Sequence, residues 1–264
     1  MIFLVQALLR PQTAEEYRRF IGSPEHLRRV SHHVNALAEL TKQRIRADRA
    51  FRMISIGMGS PAETSTLRNT KGRPLFFDGP FAESKEVLAG FNLIDFPTRD
   101  EAVEFARNEH VHDAEYTQVV RGVSRLWWGD SIKSGVAAKL FILRIYAVES
   151  PSEIAPAAGG KLARHIHRVG AEYAQGRGTI DDNNLAWSVA LLEPFTGTAL
   201  RSAAGTMTTV DIPRASDGRT EVAFVLVACG SVEEANRLAE KLASHDDDVI
   251  EVRSVTRYSW TSLD

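Results

Sequence analysis

The densest group of residues able to do acid–base or anion-binding chemistry is Asp78-Gly-Pro-Phe-Ala-Glu-Ser-Lys-Glu86. Asp78 can act as a general base or acid where apolar walls strip its water and raise its pKa. An Asp before Gly-Pro is equally an ordinary turn residue whose carboxylate caps nearby amides. Lys85 can bind an anionic substrate group, or it can join Glu83 and Glu86 in a solvated charge cluster. Phe81 reads as a ligand wall or as a core plug. His33 is the second catalytic candidate, since histidine alone titrates unperturbed near neutral pH. At about 100° per residue His33 falls on the flank of its helix's apolar face and can reach a sheet cleft, whereas His32 points about the opposite way. The alternative leaves His33, with His26, His32, His165 and His167, as partly exposed helix residues.

Three polar residues interrupt apolar strands. Gln6 stands in the first strand, Arg144 takes the corresponding place in its repeat, and Asn92 breaks the third strand. Polar groups inside apolar strands need partners. Gln6, Asn92 and Arg144 either line an interior and bind a ligand, or satisfy one another.

Other chemistries find little support. The chain has no GxxxxGK[ST] loop, no GxGxxG between a strand and a helix, and no GxSxG elbow. His110, His112 and Asp113 cluster, but without further partners at ligand spacing they make a weak metal site. No metal and no cofactor is expected. Cys229 is the only cysteine, which excludes an intrachain disulfide and suits a cytoplasmic protein. A net charge of −2 offers no basic surface for nucleic acid. The apolar start MIFLVQALLR is too short to span a bilayer, and no membrane partner is expected. The expected partner is a small-molecule ligand.

The elements that position these residues repeat. Residues 2–9 read as a buried strand. Leu27, Val30, Val34, Leu37 and Thr41 form one face of a helix over residues 25–46. Strands follow at 51–58, 89–96 and 116–123, with an irregular hairpin at 64–77. Thr98-Arg-Asp-Glu101 has the spacing of a capping box, opening a helix that buries Ala102, Phe105 and Ala106. The order is β-α-β-β-α-β, a ferredoxin-like unit. After a Ser/Gly linker it recurs, with strands at 139–147, 185–192, 221–229 and 249–257 and helices at 157–175 and 232–244.

A shift of 133 residues, from Leu67 to Leu200, aligns the copies without gaps. It pairs Arg68 with Arg201, Asp78 with Asp211, Phe91 with Phe224 and Glu101 with Glu234. We read a tandem duplication with domains at 1–130 and 136–264. A ferredoxin-like unit covers one sheet face with helices, so the bare faces should be buried against each other.

The DGPFAESKE stretch resembles the DGPFAETKE signature of the YCII-related (DGPF) family, with Ser84 where that family usually has Thr. The second copy keeps Asp211, Pro213 and Ala215 and loses the rest, implying one intact and one degenerate site. The resemblance implies an α+β fold: two ferredoxin-like units forming an intrachain pseudo-dimer akin to a dimeric α/β barrel. It also implies a His and an Asp sharing a cleft, the basis for pairing His33 with Asp78. Whether two such chains dimerise stays open. Two functions fit: a cofactor-independent lyase, isomerase or elimination enzyme acting on a small organic molecule, or a small-molecule-binding or regulatory module without turnover. A buried Asp78 beside a histidine favours the first, and a solvent-facing Asp78 the second.

Overall fold

The computed structural model describes residues 1–9, 23, 24, 28, 35, 39, 53–81, 86–108, 116–128, 139–148, 185–191, 197–203, 206–211, 218–243 and 249–261. The first half contributes β1 (Ile2–Leu9), β2 (Met53–Met58), β3 (Ser65–Thr70), β4 (Arg73–Asp78), β5 (Val87–Asp95), α1 (Arg99–Asn108) and β6 (Tyr116–Trp128). The second contributes β7 (Lys139–Val148), β8 (Leu185–Leu191), β9 (Thr198–Ala203), β10 (Thr206–Val210), β11 (Arg219–Cys229), α2 (Val232–Leu242) and β12 (Val249–Thr261).

Eight strands close a barrel in the order β1-β5-β2-β12-β7-β11-β8-β6, with β6 returning to β1. Each half carries the ferredoxin-like order fourth-first-third-second, as β6-β1-β5-β2 and β12-β7-β11-β8. The fold is therefore mixed α+β, a duplicated barrel-like architecture with four extra strands among the described residues. Two seams join the halves, β2 with β12 and β8 with β6. The bare sheet faces meet by rolling into one barrel.

Closure explains where strand lengths depart from expectation. β6 was expected over 116–123 and runs to Trp128, because residues 123–128 pair with β8 of the other half. β12 was expected over 249–257 and runs to Thr261, because its second part pairs with β2. The 64–77 hairpin is the regular pair β3–β4, and an equivalent pair, β9–β10, appears where no strands were expected. Each hairpin docks on the opposite half, β3 on β12 and β9 on β6.

Strand alternation sorts side chains into layers. The barrel interior gathers Leu4, Ile54, Ile56, Leu93, Trp187, Phe224 and Leu226. Phe91 and Phe224, matched by the 133-residue shift, meet there with ring centroids 5.1 Å apart. Under α1 lie Phe3, Val5, Ile94 and Phe96, joined by Leu200 of the second half. Under α2 lie Leu143, Ile145, Val225 and Val252, joined by Leu67 of the first half. Thr98 Oγ1 accepts from the Glu101 N–H at 3.2 Å, and Ser231 Oγ from the Glu234 N–H at 3.3 Å. Both helix starts are thus capped as their spacing implies.

Two buried arginines fasten the seams. Arg121 lies opposite Leu4, and Arg253 lies opposite Ile142. Arg253 donates from Nε to the Gly59 carbonyl (2.9 Å) and from Nη1 to the Leu88 carbonyl (2.6 Å). Arg121 donates from Nη1 to the Glu221 carbonyl at 2.9 Å. Each arginine reaches into the other half, and the acceptors Leu88 and Glu221 are again 133 residues apart.

Among the described residues, no helix is long and apolar enough to cross a membrane. Arg28, Asn35 and Glu39 are helical and exposed, on the helix expected over 25–46, and Pro24, expected as a break before it, is also helical. The helix expected over 157–175 lies outside the described residues.

Candidate functional site

Gln6 on β1 and Arg144 on β7 point into the barrel and converge on Glu221 of β11. Gln6 Nε2 donates to Glu221 Oε2 at 2.8 Å. Arg144 clamps Oε1 of the same carboxylate through Nε (2.8 Å) and Nη2. Its Nη1 turns to Glu251 Oε1 of β12 at 3.1 Å. Glu251 also faces the Phe81 N–H, 3.4 Å from its Oε2. Two carboxylates thus share one guanidinium, and amide donors complete their hydrogen bonding, as buried charge requires. Burial works against the Arg144 charge, but Glu221, Tyr146 and Glu251 outweigh it and hold the guanidinium pKa above its ordinary value.

An aromatic wall backs this network. Phe81 is buried and packs on Tyr146 with centroids 5.0 Å apart, and the Arg68 guanidinium sits 5.2 Å from the Phe81 ring centre. Arg144 itself lies 5.4 Å from the Tyr146 ring. Burial pushes the Tyr146 hydroxyl well above the usual phenol range, with Arg144 pulling the other way. That hydroxyl has no hydrogen-bond partner among the described residues. Glu221 is the network's route to solvent: its side chain keeps 11% of its surface, against 1% for Glu251.

The other candidates fall elsewhere. Asp78 ends β4 and is exposed. Asn92 is buried but sits across from Val5 and Ser55, on the face turned away from the barrel interior that holds Gln6. His33 and Lys85 lie outside the described residues, as do His26, His32, His110, His112 and Asp113. Glu86 departs from the solvated cluster proposed for it: it is buried, accepts from Thr117 Oγ1 at 2.9 Å, and pairs with Arg201 Nη2 at 3.3 Å. Arg201 comes from the β9–β10 hairpin, whose docking covers what would otherwise be a surface glutamate.

Glu221 and Glu251 were not singled out from the sequence. In Val249-Ile-Glu-Val-Arg253 the charged residues alternate with aliphatic ones, the usual signature of a polar outer face. Here the aliphatic residues face the helix layer and the charged ones face inward. The signal available was the register with Arg144, which lies directly opposite Glu251.

Residues 11–121 match the YCII-related domain family. The chain is also similar to an uncharacterized protein of Rhizobium meliloti (strain 1021), 54% identical over 44 residues, 17% of this chain and 36% of that protein. The chain thus spans about a third of the length of that relative. Over residues 11–121, less than half of its length, the chain is thus similar to the YCII-related domain family.

Proposed function

We propose that this is a small-molecule-binding protein, an intrachain pseudo-dimer of YCII-related units whose ligand is taken up beside Gln6, Phe81, Arg144 and Glu221. The observation that carries this reading is the exposure of Asp78, set against the convergence of Gln6 and Arg144 on one partly accessible carboxylate. At the end of β4 the Asp78 carboxylate faces solvent rather than an enclosed site. The accessible edge of Glu221 instead suits a small polar molecule that needs an acceptor, with the Phe81–Tyr146 aromatic pair buried behind it. No cofactor enters this reading.

A second reading keeps acid–base turnover but moves the acid to Glu221, because that carboxylate combines solvent access with two fixed donors. Native mass spectrometry of the purified protein, before and after gentle denaturation, tests both. A releasable small molecule that persists in Asp78→Asn and disappears in Glu221→Gln supports the binding site. Loss of that molecule in Asp78→Asn alone would return Asp78 to the centre of the function. Conversion of the released molecule by the wild type but not by Glu221→Gln would favour the enzyme.

A further inference from the structure

β12 changes partners midway. Residues 249–254 pair with β7, and residues from Val255 onward pair with β2, with a register shift between Val255 and Arg257. At this junction lies a cavity of about 300 Å³ whose walls include Lys139, Phe141, Val255, Thr256, Arg257 and Tyr258. That size is at the lower end for small-molecule sites. Arg257 lies six residues beyond Glu251, roughly 20 Å along an extended strand, so this cavity is distinct from the Arg144 network.

Arg257 is half-buried and forms no ion pair or hydrogen bond among the described residues. Burial holds its pKa below the ordinary value, and among the described residues no acidic group offsets that effect. Arginines at this depth normally have carboxylate or carbonyl partners, as Arg144 and Arg253 do. Space for the side chain is provided by Gly57, directly across on β2. A Cβ at Gly57 would stand 3.3 Å from Arg257 Cβ and 3.7 Å from its Nε. A second cation, Lys139, opens the other side of the cavity and is exposed, with Glu233 of α2 within electrostatic reach. Phe141, Val255 and the Tyr258 ring supply apolar wall.

We infer that this junction is a binding site for a small organic anion, a carboxylate or phosphate ester with an apolar body, held by Arg257 and Lys139. An unpaired guanidinium supplies a two-pronged donor for a planar carboxylate or a phosphate. The aromatic and aliphatic wall takes the remainder of the ligand. The walls come from the start of β7 and the middle of β12, where the two strands part.

The test is a ¹H–¹⁵N NMR titration of the full chain with benzoate, with benzamide as its neutral isostere, and with inorganic phosphate. Benzoate should shift the amides of residues 139–141 and 254–258 along a single-site saturation curve, whereas benzamide should not. Weaker binding of phosphate at the same amides would show that charge alone suffices, and phosphate binding without benzoate binding would assign the site to phosphate esters. Arg257→Gln should weaken binding by about tenfold or more, the value of one charge-assisted hydrogen bond. The exposed Lys139→Gln, which disturbs no packing, should weaken it by a smaller factor. Glu221→Gln should leave it unchanged. Equal binding of benzoate and benzamide, or unchanged affinity in both cation variants, overturns the inference. So do shifts confined to residues near Glu221, or no binding of either anion at about millimolar concentration.

Discussion

Arg253 offers the sharpest test of how the two halves are held. Its side chain is fully buried and donates to the carbonyls of Gly59 and Leu88, both in the first half. Replacing it with Met keeps much of the apolar stem and leaves both carbonyls without these donors. A hydrogen bond to a charged group contributes about 1.5–3 kcal/mol, so two such acceptors amount to about 3–6 kcal/mol. Relief from burying a guanidinium offsets part of this, and breaking one side of a buried charged interaction typically costs about 3–5 kcal/mol. We expect a loss near 3 kcal/mol for Arg253→Met. With a urea slope of about 1–3 kcal/mol/M, the unfolding midpoint should fall by about 1 M or more. Arg253→Lys, which keeps the charge but cannot reach both carbonyls with a planar fork, should fall between Met and wild type. Arg121→Met, at the equivalent station, should also destabilise. A midpoint shift corresponding to less than about 1 kcal/mol for Arg253→Met, with unchanged slope, would refute the claim that this arginine fastens the seam.

Other outcomes follow from single contacts. Burial pushes the Cys229 thiol up to about 12, and the Tyr258 hydroxyl also to about 12. Both pKa values are raised on folding, so their contribution is complete below the unfolded values, about 8.5 and 10, and is lost as pH climbs toward 12. Urea midpoints should therefore hold level to about pH 8.5 and then decline, and Cys229→Ala should decline less steeply over the thiol's part of that range. Gly90→Ala would place a Cβ 2.5 Å from the Ile56 carbonyl oxygen, which belongs to the backbone of β2 and cannot swing aside. A cost of about 1–3 kcal/mol is expected, read as a melting temperature lower by about 2–4 °C per kcal/mol. Asp78→Asn, at an exposed strand end, should stay within about 0.5 kcal/mol of wild type.

Much of the architecture was written in local pattern. The apolar run of β1, the capping residues Thr98 and Ser231, and the 133-residue repeat each depend on neighbours or on self-similarity, so they can be read from the chain alone. Gln6 and Arg144 were visible for the same reason, as polar breaks in apolar strands. What stayed hidden depends on residues far apart in sequence. The ends of β6 and β12 look like strand termini until the other half supplies a partner. Alternation in β12 says that Glu251 and Arg253 share a face, but not whether that face is solvent or barrel interior. Glu86 looked like surface charge because the hairpin that covers it, carrying Arg201, lies 115 residues away. Asp78 drew attention through its motif, whereas the structure collects polar chemistry at Glu221, whose surroundings in sequence are unremarked.

The seam between β2 and β12 also sets a schedule for synthesis. Thr256 reaches the carbonyls of Gly57 and Met58 across 199 and 198 residues of chain. At about 5–20 residues per second, a ribosome takes on the order of 10–40 s to make the strand that β2 awaits. During that interval β2 has β5 on one side and an unpaired ladder on the other. Open strand edges are where nascent chains pair with the wrong neighbour. Until the second half emerges that edge stays open to mispairing, so slower translation of the second half should lower the yield of folded protein.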